Sequence, residues 1–481
     1  MQHDTCWIVM AEFKKSESGA SQKGIWQAVW ASLRGTQEDY TSGSLSRAIT
    51  LLAIPMMLEL LMESTFTLVD TYFVGKLGAE AVATTGLSGA LIVIVFAIAI
   101  GLSIGATATV ARRIGEGDNE GAGIAAGQSV VAAVLISIPV SVAGVMLSPS
   151  MLAWMGGSPE VVAGWAYPAM LFGGSVTIFL LFLNNAIFRG AGDAVIAMRA
   201  LWLANILNCI LDPCLIFGWG PFPELGLVGA AVATTIGRAV GVGYQFVVLM
   251  RGDQRVRLRW AYFALDAPVM KKLLRISVTG MIQYCVATAS WIGVATIMAV
   301  FGSVALAGYT IATRLMMAAI MVSWGLSQAT ATLVGQSLGA HKPDRAERAV
   351  WITGLYNLAL LGVTSIVFWV LARPMISFFT ADEPVIAVGI EALRYLAVGQ
   401  IFAAYSMVFS SAFNGAGDTD TPTYINLVSY WIFELPVAYW LAHIVGWGPT
   451  GVYVGVAGSG VVWASIGYVC FRKGRWKTRT V

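Results

Sequence analysis

Long runs of apolar residues alternate along the sequence with short polar breaks. Five of these runs carry no Asp, Glu, Lys or Arg: residues 81–111, 161–188, 276–313, 349–372 and 435–471. About 20 apolar residues suffice for a helix to cross a bilayer core of roughly 30 Å. The breaks predict twelve membrane-spanning helices and hence an all-α polytopic membrane protein. The predicted helices lie near residues 48–74, 82–110, 122–147, 162–187, 196–217, 226–250, 271–300, 304–333, 348–372, 385–412, 422–445 and 450–471.

The composition supports a membrane protein and argues against several other classes. Of 481 residues, 57% are hydrophobic and 11% are charged, against roughly 25% charged in a typical soluble domain, and the mean hydropathy is +0.75. A net charge of +3 is too small to indicate a nucleic-acid partner. The five Cys and three His residues are scattered without paired spacing, so neither a structural disulfide nor a metal centre is expected.

Lys and Arg residues are concentrated at one set of helix ends. Arg112, Arg113 and Arg189 belong to this set, whereas the opposite loops carry little more than Lys76 and Arg373. Because loops rich in Lys and Arg stay in the cytoplasm, both termini are predicted to be cytoplasmic and the protein to lie in the inner membrane. The predicted organisation is a polar N-terminal tail (1–46), a first lobe (47–252), a linker (253–270), a second lobe (271–471) and a basic C-terminal tail (472–481). Within the N-terminal tail, the sequence "GIWQAVWASL" is consistent with either a short interfacial helix or a disordered segment.

The hexapeptide "FRGAGD" at residues 188–193 recurs as "FNGAGD" at residues 413–418. "ATATV" at 106–110 and "ATATL" at 329–333 keep a similar offset. A duplicated six-helix unit explains both pairs. Because six is even, the two copies insert the same way up, as lobes related by a pseudo-two-fold axis along the membrane normal. We interpret each hexapeptide as a tight glycine turn whose Asp caps the next helix. The sequence GAGD also matches the GxGD motif of intramembrane aspartyl proteases, but that function needs Asp residues at membrane depth.

Three carboxylates lie inside the first predicted helix. At 100° per residue, Glu59, Glu63 and Asp70 fall on one narrow stripe. An ionisable side chain at bilayer depth costs roughly 2.5–3.5 kcal/mol, so the stripe is expected to face the interior of the lobe or the cleft between lobes. Pro55 precedes the stripe and, by removing a backbone hydrogen bond, predicts a kink or hinge.

The fifth predicted helix carries Asn208 and Asp212 one turn apart, followed by a proline. An Asp beside an amide is suited to bind a proton or a small cation, although an ordinary interhelical hydrogen bond is the alternative. In the second lobe only Glu434 lies deep within a span, so cation coupling is expected mainly in the first lobe. We interpret Arg238 and Arg314 as residues near helix ends whose side chains extend to the interface.

Together these motifs resemble the multidrug and toxic compound extrusion (MATE) transporters. The resemblance covers residues 47–471 and includes "VDTYFVGKLG", the two GAGD hexapeptides, and "LDP" followed by "GLVGAAVATT". The seventh helix carries no acid, as in the DNA-damage-inducible protein F branch of this family. The resemblance implies a bend at Pro55. It also implies a cation-binding network of Asp70, Asn208, Asp212 and Thr234. If the alignment to the family motif is shifted by one residue, Thr235 takes the place of Thr234.

The expected function is therefore secondary active antiport. The protein is expected to export amphipathic, cationic organic compounds in exchange for H⁺ or Na⁺, as a monomer surrounded by lipid, with no cofactor and no enzymatic activity. Five further residues are candidates for a substrate or proton path: Glu59, Glu63, Asn185, Gln283 and Glu434.

Two rival functions remain open at this point. A flippase for lipids or lipid-linked oligosaccharides would favour a basic cleft, whereas the intramembrane charges here are mainly acidic. An intramembrane aspartyl hydrolase would need a catalytic pair at membrane depth, and only Asp70 with Asp212 offers one.

Overall fold

The structure, a computed structural model, describes residues 22–35, 38–252 and 255–480. It confirms the all-α architecture: the described residues form helices and connecting loops, and none of them is in a strand. Twelve helices, labelled α1 to α12, are long and apolar enough to cross a membrane. They are Leu45–Gly75, Ala79–Gly115, Asn119–Trp154, Pro159–Ala191, Ala194–Phe217, Leu227–Arg251, Ala267–Ala299, Ser303–Gly339, Pro343–Val370, Glu383–Gly415, Asp420–Ile444 and Pro449–Arg472.

Several helices extend beyond the predicted limits. Residues 82–110 were expected for the second span, but α2 runs over Ala79–Gly115 and includes Arg112 and Arg113 in its last turn. Backbone hydrogen bonding continues through polar residues, and basic side chains near a helix C-terminus interact favourably with its dipole. At 1.5 Å per residue, a helix of this length also exceeds the hydrocarbon core, so its ends protrude from the membrane.

The linker between the lobes is shorter than predicted. The seventh span was expected from residue 271, but α7 begins at Ala267 because Asp266 Oδ1 accepts a hydrogen bond from the Val269 amide at 3.2 Å and caps the helix. Val256 and Leu258 of the linker are buried in the hydrophobic core of the first lobe. The linker is therefore part of the packing of that lobe.

The two GAGD hexapeptides form the same turn. Gly192 and Gly417 both adopt positive φ angles, 93° and 79°, a conformation that glycine reaches without steric cost. The amide of Asp193 donates to the Phe188 carbonyl at 2.8 Å, and the amide of Asp418 donates to the Phe413 carbonyl at 2.9 Å. These matching bonds confirm the predicted turns and show the duplication at atomic level.

The predicted capping role of the two Asp side chains is wrong. Asp193 stands at the N-cap of α5, but its side chain makes no capping hydrogen bond and interacts with the Arg255 charge instead. The Asp418 carboxylate accepts from the Thr421 hydroxyl at 2.7 Å and pairs with Arg479 at 3.0 Å. Arginines from elsewhere in the chain therefore compete with the local amides for these carboxylates.

The two lobes converge on the side of the membrane that carries the GAGD turns, which we call the loop side. A buried cluster there joins α1 and α5 of the first lobe to α8 and α9 of the second, through residues such as Leu52, Met56 and Leu333. Toward the opposite, far side, the buried clusters that the structure describes separate by lobe. The far half of α1 also exposes Leu68 and Tyr72. The described buried packing therefore joins the two lobes on the loop side and lies within each lobe on the far side.

Both termini reinforce the loop side. The "GIWQAVWASL" stretch lies in a helix, Gln22–Arg34, as the interfacial-helix alternative requires; the tail before residue 22 lies outside the described residues. Arg345 of the second lobe donates to three backbone carbonyls of the segment that leads into α1. At the C-terminus, Trp476 is buried, and the carbonyl of Arg479 accepts from Arg112 of the first lobe at 2.6 Å. We call the N-terminal contact, residues 40–43 with Lys342 and Arg345, the clasp.

We predict that Gly115→Ala destabilises the closed loop side. A Cβ at residue 115 would overlap the backbone carbonyl of Gln336 in α8, so the lobes would have to move apart at a cost of about 1–3 kcal/mol. The measurement is the apparent unfolding temperature in detergent. The matched control is Gly89→Ala in the same helix, where an added Cβ meets nothing within 4 Å. Equal unfolding temperatures for the two variants would contradict the close packing described here.

We predict that Asp193→Asn stabilises the protein near neutral pH and not in acid. Burial raises the pKa of Asp193 to about 6, although the Arg255 guanidinium opposes the shift. A raised carboxyl pKa means that stability is greatest below the ordinary value near 4 and is lost as the pH rises through 6. The Asn variant does not lose this stability, about 3 kcal/mol, as the pH rises. Its free energy of unfolding should therefore increase relative to that of the wild type between pH 4 and pH 6. Asp418→Asn, which removes the ion pair with Arg479, should destabilise instead.

Candidate functional site

The acidic stripe of α1 faces the interior of the first lobe. Glu59 is 3% exposed, and Glu63 and Asp70 are partly buried. The side chains that contact them or lie near them belong to α4, α5 and α6 of the same lobe. Pro55 is buried inside α1, one turn before Glu59, and the helix continues through it. The structure therefore places the predicted stripe and hinge on one continuous helix.

The first layer of the site surrounds Glu59. Its Oε1 atom accepts a hydrogen bond from Asn185 Nδ2 at 2.9 Å and pairs with Arg189 Nη1 at 3.3 Å. Asn185 Oδ1 in turn accepts from Gln245 Nε2 at 2.5 Å. Sequence reasoning named Glu59 and Asn185 but assigned Arg189 only to the pattern of loop charges. The position of Arg189 one turn after Asn185 on the same helix was the signal that could have linked them.

The second layer surrounds Glu63 and Arg238. Glu63 Oε2 accepts from Asn205 Nδ2 at 3.1 Å. Arg238 lies near the midpoint of α6 and close enough to Glu63 and Asp70 for their charges to interact. The interpretation of Arg238 as a residue near a helix end is therefore wrong. The predicted limits of this helix, residues 226–250, already placed residue 238 at its centre.

The third layer contains the predicted cation-binding residues. Asn208 Nδ2 donates to Thr234 Oγ1 at 3.0 Å. Thr235 instead donates to the Ala231 carbonyl of its own helix, so the structure favours the register with Thr234. Asp212 is fully buried, and neither of its carboxylate oxygens has a hydrogen-bond partner among the described residues. The charge of Asp70 lies near enough to interact with that of Asp212.

The donor set of this layer suits a proton or a small hard cation. Two carboxylate oxygens of Asp212 and the Oδ1 atom of Asn208 are buried without partners in the described part of the chain. Buried polar groups normally have partners, so the arrangement leaves several oxygen ligands available. Oxygen ligands bind hard cations, and a buried carboxylate also binds a proton. Across the described residues, no group of three or more His, Cys, Asp or Glu side chains is arranged to hold a metal ion.

The second-lobe candidates lie apart from these three layers. Glu434 is 3% exposed and accepts a hydrogen bond from the Ser459 hydroxyl. It ends a π-helical segment of α11, Leu427–Glu434, a geometry that occurs often at functional sites. Gln283 donates to the Ser410 hydroxyl at 3.0 Å. The structure thus brings Asp70, Asn208, Asp212 and Thr234 into one region and places Gln283 and Glu434 elsewhere.

We predict that Arg189→Met destabilises the protein more than Glu59→Gln does. Removing the Arg leaves a buried carboxylate without its opposite charge, which typically costs about 3–5 kcal/mol, whereas a Gln at residue 59 still accepts from Asn185. The double variant should recover part of the loss. Apparent unfolding temperatures of the four proteins measure this coupling.

The exposed pair Arg373–Glu383 supplies the control for that cycle. Its side chains are 65% and 67% exposed, so the same double-mutant cycle there should give less than about 1 kcal/mol. A coupling between Glu59 and Arg189 as small as that of the exposed pair would show that their contact is not a buried ion pair.

Comparisons with known proteins agree with this architecture. A family model described as MatE matches residues 55–214 and 278–440, one segment in each lobe. The probable multidrug resistance protein NorM of Thermotoga maritima is 28% identical over 439 residues, covering 89% of this chain and 93% of that protein. A crystal structure of MATE in the bent conformation superposes with a TM-score of 0.85 at 26% identity, covering 90% of this chain and 96% of the other.

A second solved structure is equally similar. It is a MOP superfamily transporter from Pyrococcus furiosus, for which reverse polarity of the binding pocket suggests a different function. It has a TM-score of 0.85 and 26% identity, and the match covers 92% of this chain and 98% of that one. Since the family model matches most of both lobes, and the solved structures superpose over 90% or more of the chain, this chain belongs to the MatE family of multidrug efflux transporters.

Proposed function

We propose that the protein is an antiporter that exports amphipathic organic compounds in exchange for H⁺ or Na⁺. The observation that carries this proposal is Asp212, a fully buried carboxylate without a hydrogen-bond partner among the described residues, beside the Asn208–Thr234 pair. A carboxylate in this environment has a strong need for a proton or a cation. Asp70 supplies a second carboxylate near it. The assignment to the DNA-damage-inducible protein F branch remains a prediction.

Coupling follows from mutual exclusion between ion and substrate. If an ion and a substrate each disfavour the binding of the other, each drives release of the other, and the coupling is reciprocal. One H⁺ moving down about 100 mV releases roughly 2.3 kcal/mol, and since 1.4 kcal/mol corresponds to a factor of ten, this supports roughly a 50-fold gradient of a neutral compound. Because the lobes pack together on the loop side, opening between them on the far side gives the first-lobe site access from one face of the membrane at a time.

Pro55 is the proposed hinge of this cycle. It lies between the part of α1 that packs against the second lobe and the part that carries Glu59, Glu63 and Asp70. A proline lacks the amide that would hold the preceding turn, so bending at this point would change the position of the carboxylates relative to α5 and α6.

The distribution of charge supports the orientation of the chain in the membrane and the class of its substrates. The concentration of Lys and Arg on the loop side supports a cytoplasmic position for both termini, in the inner membrane, with the far side facing out. The acidic stripe supports organic cations as substrates, and the packing of both lobes in one chain supports a monomer. The flippase alternative would favour a basic cleft, whereas the three layers contain four carboxylates, Glu59, Glu63, Asp70 and Asp212, against two arginines, Arg189 and Arg238. The hydrolase alternative conflicts with membership of a transporter family.

We predict that Asp70→Asn and Asp212→Asn each reduce ion-driven efflux of a cationic dye from proteoliposomes by about tenfold or more. The amide keeps the size of the side chain and loses its ability to bind a proton or a cation. Dye efflux is followed under an imposed proton gradient and, separately, under a Na⁺ gradient. The gradient that drives the wild type identifies the coupling ion.

The control is Glu383→Gln, which neutralises an exposed carboxylate on the far side and should leave efflux unchanged. Full efflux in both Asp variants would remove these residues from the coupling site, and Glu59, Glu63 and Glu434 would be tested next. Absence of efflux by the wild type under either gradient would overturn the proposed function itself.

A further inference from the structure

The linker between the lobes is held against α3 by side chains that the transport site does not use. Gln128 of α3 is fully buried, and its Nε2 atom donates to the carbonyls of Tyr262 and Ala264 at 3.0 and 2.6 Å. Its Oε1 atom accepts from the Asp266 amide at 3.0 Å. A Cβ at Gly127 would overlap the Tyr262 carbonyl, so the linker lies directly on the backbone of α3. The linker is therefore a fixed part of the first lobe.

This fixed linker presents large apolar side chains to its surroundings. Trp260 is 81% exposed and Leu265 is 67% exposed. The Trp260 ring contacts the ring of Phe263, and their centroids are 5.9 Å apart. Beside them, an open groove of about 450 Å³ between α3 and the linker is lined in part by Ile124 and Leu265. An ordered segment that exposes large apolar side chains beside a groove indicates an interaction surface.

The length of α3 places the linker at the edge of the bilayer. This helix of 36 residues is about 54 Å long, so about 12 Å project at each end when it is centred on a hydrocarbon core of roughly 30 Å. Gly127 lies about 12 Å along the axis from the start of the helix at Asn119. Further along, Leu135, Ile138 and Val142 are exposed, which indicates a lipid-facing helix. The linker next to Gly127 therefore lies where hydrocarbon meets the lipid headgroups, the level at which Trp is enriched.

Basic side chains flank the exposed Trp260. Four Lys and Arg residues of the linker and of the first turns of α7 are exposed: Arg257, Arg259, Lys271 and Lys272. None of the four pairs with an acid in the described part of the chain. The carboxylate of Asp266 is occupied by the Val269 amide, which it accepts as the cap of α7. The charge of this surface therefore complements the anionic headgroups of phospholipids, which lie at the same level.

We propose that this surface, which we call the linker patch, binds anionic phospholipids of the loop-side leaflet. The patch consists of Arg257, Arg259, Trp260, Leu265, Lys271 and Lys272. Its Lys and Arg side chains attract the headgroup charge, the Trp260 ring lies among the headgroups, and Leu265 contacts the adjoining part of the acyl chains. The anchoring by Gln128 holds these groups at one depth. This lipid binding is independent of the ion site and of the antiport function.

The test measures how closely each type of lipid approaches Trp260. The full chain is reconstituted in vesicles of equal amounts of phosphatidylcholine and phosphatidylglycerol, with brominated acyl chains on one lipid or on the other, because bromine quenches Trp fluorescence on contact. The difference between each protein and its Trp260→Phe variant isolates the signal of Trp260 from that of the other Trp residues. Brominated phosphatidylglycerol should quench this signal more strongly than brominated phosphatidylcholine. High salt should reduce the difference, since it screens the charges.

Two matched double variants test the basic side chains. Lys271→Gln with Lys272→Gln should lower the preference for phosphatidylglycerol by about fivefold or more, since each Lys near an anionic surface contributes a factor of about five. Lys473→Gln with Arg475→Gln neutralises two exposed basic residues on the loop side of the second lobe and should leave the preference unchanged. Equal quenching by the two lipids in the wild type, or equal losses in the two double variants, would overturn the inference. So would the absence of quenching by either lipid, the result expected if a second copy of the chain or another protein covers Trp260.

Discussion

The cost of carboxylates in hydrocarbon governs the organisation of this chain. Helix α1 carries Glu59, Glu63 and Asp70 at membrane depth, and groups that offset this cost come from α4, α5 and α6. The first lobe therefore surrounds the carboxylates of α1 with polar and basic side chains of its own helices. The second lobe repeats the backbone without repeating this constraint, since its deep carboxylate, Glu434, is met by a single serine hydroxyl. Duplication has thus preserved the scaffold, while the chemistry has become specific to one copy.

The packing between the lobes determines on which side of the membrane they are held together. Close backbone contacts on the loop side, such as that between Gly115 and Gln336, hold the lobes together there, whereas the far-side clusters stay within their own lobes. Protein interiors rearrange between discrete packings rather than deforming continuously. The close approach at Gly115 depends on the absence of a side chain, and the buried side chains around it, such as Leu52 and Leu333, have to separate together with it.

The sequence predicted the features that depend on local pattern and left out those that depend on tertiary neighbours. Twelve spans, the duplication and the stripe on α1 followed from hydropathy, repetition and the 100° helical period. The partners of the stripe did not, because Arg189 and Asn205 are far from Glu59 and Glu63 in the chain. The capping role of Asp193 failed for the same reason, since Arg255 lies in the linker. Arg238 was assigned to a helix end although the predicted limits placed it at the centre of its helix, and only the contact between Asn208 and Thr234 distinguished Thr234 from Thr235.

The clasp has a consequence for how this part of the chain tolerates sequence change. Arg345 and Lys342 donate hydrogen bonds to the backbone carbonyls of residues 40–43. Replacement of Thr41 or Ser42 therefore leaves the carbonyl acceptors in place, provided that the backbone keeps its path, whereas Gly43 has a φ of 69° that other residues adopt at a cost. Insertions or deletions between the surface helix and α1 shift every carbonyl at once. The length of this segment, more than the identity of its side chains, is therefore the property on which the clasp depends.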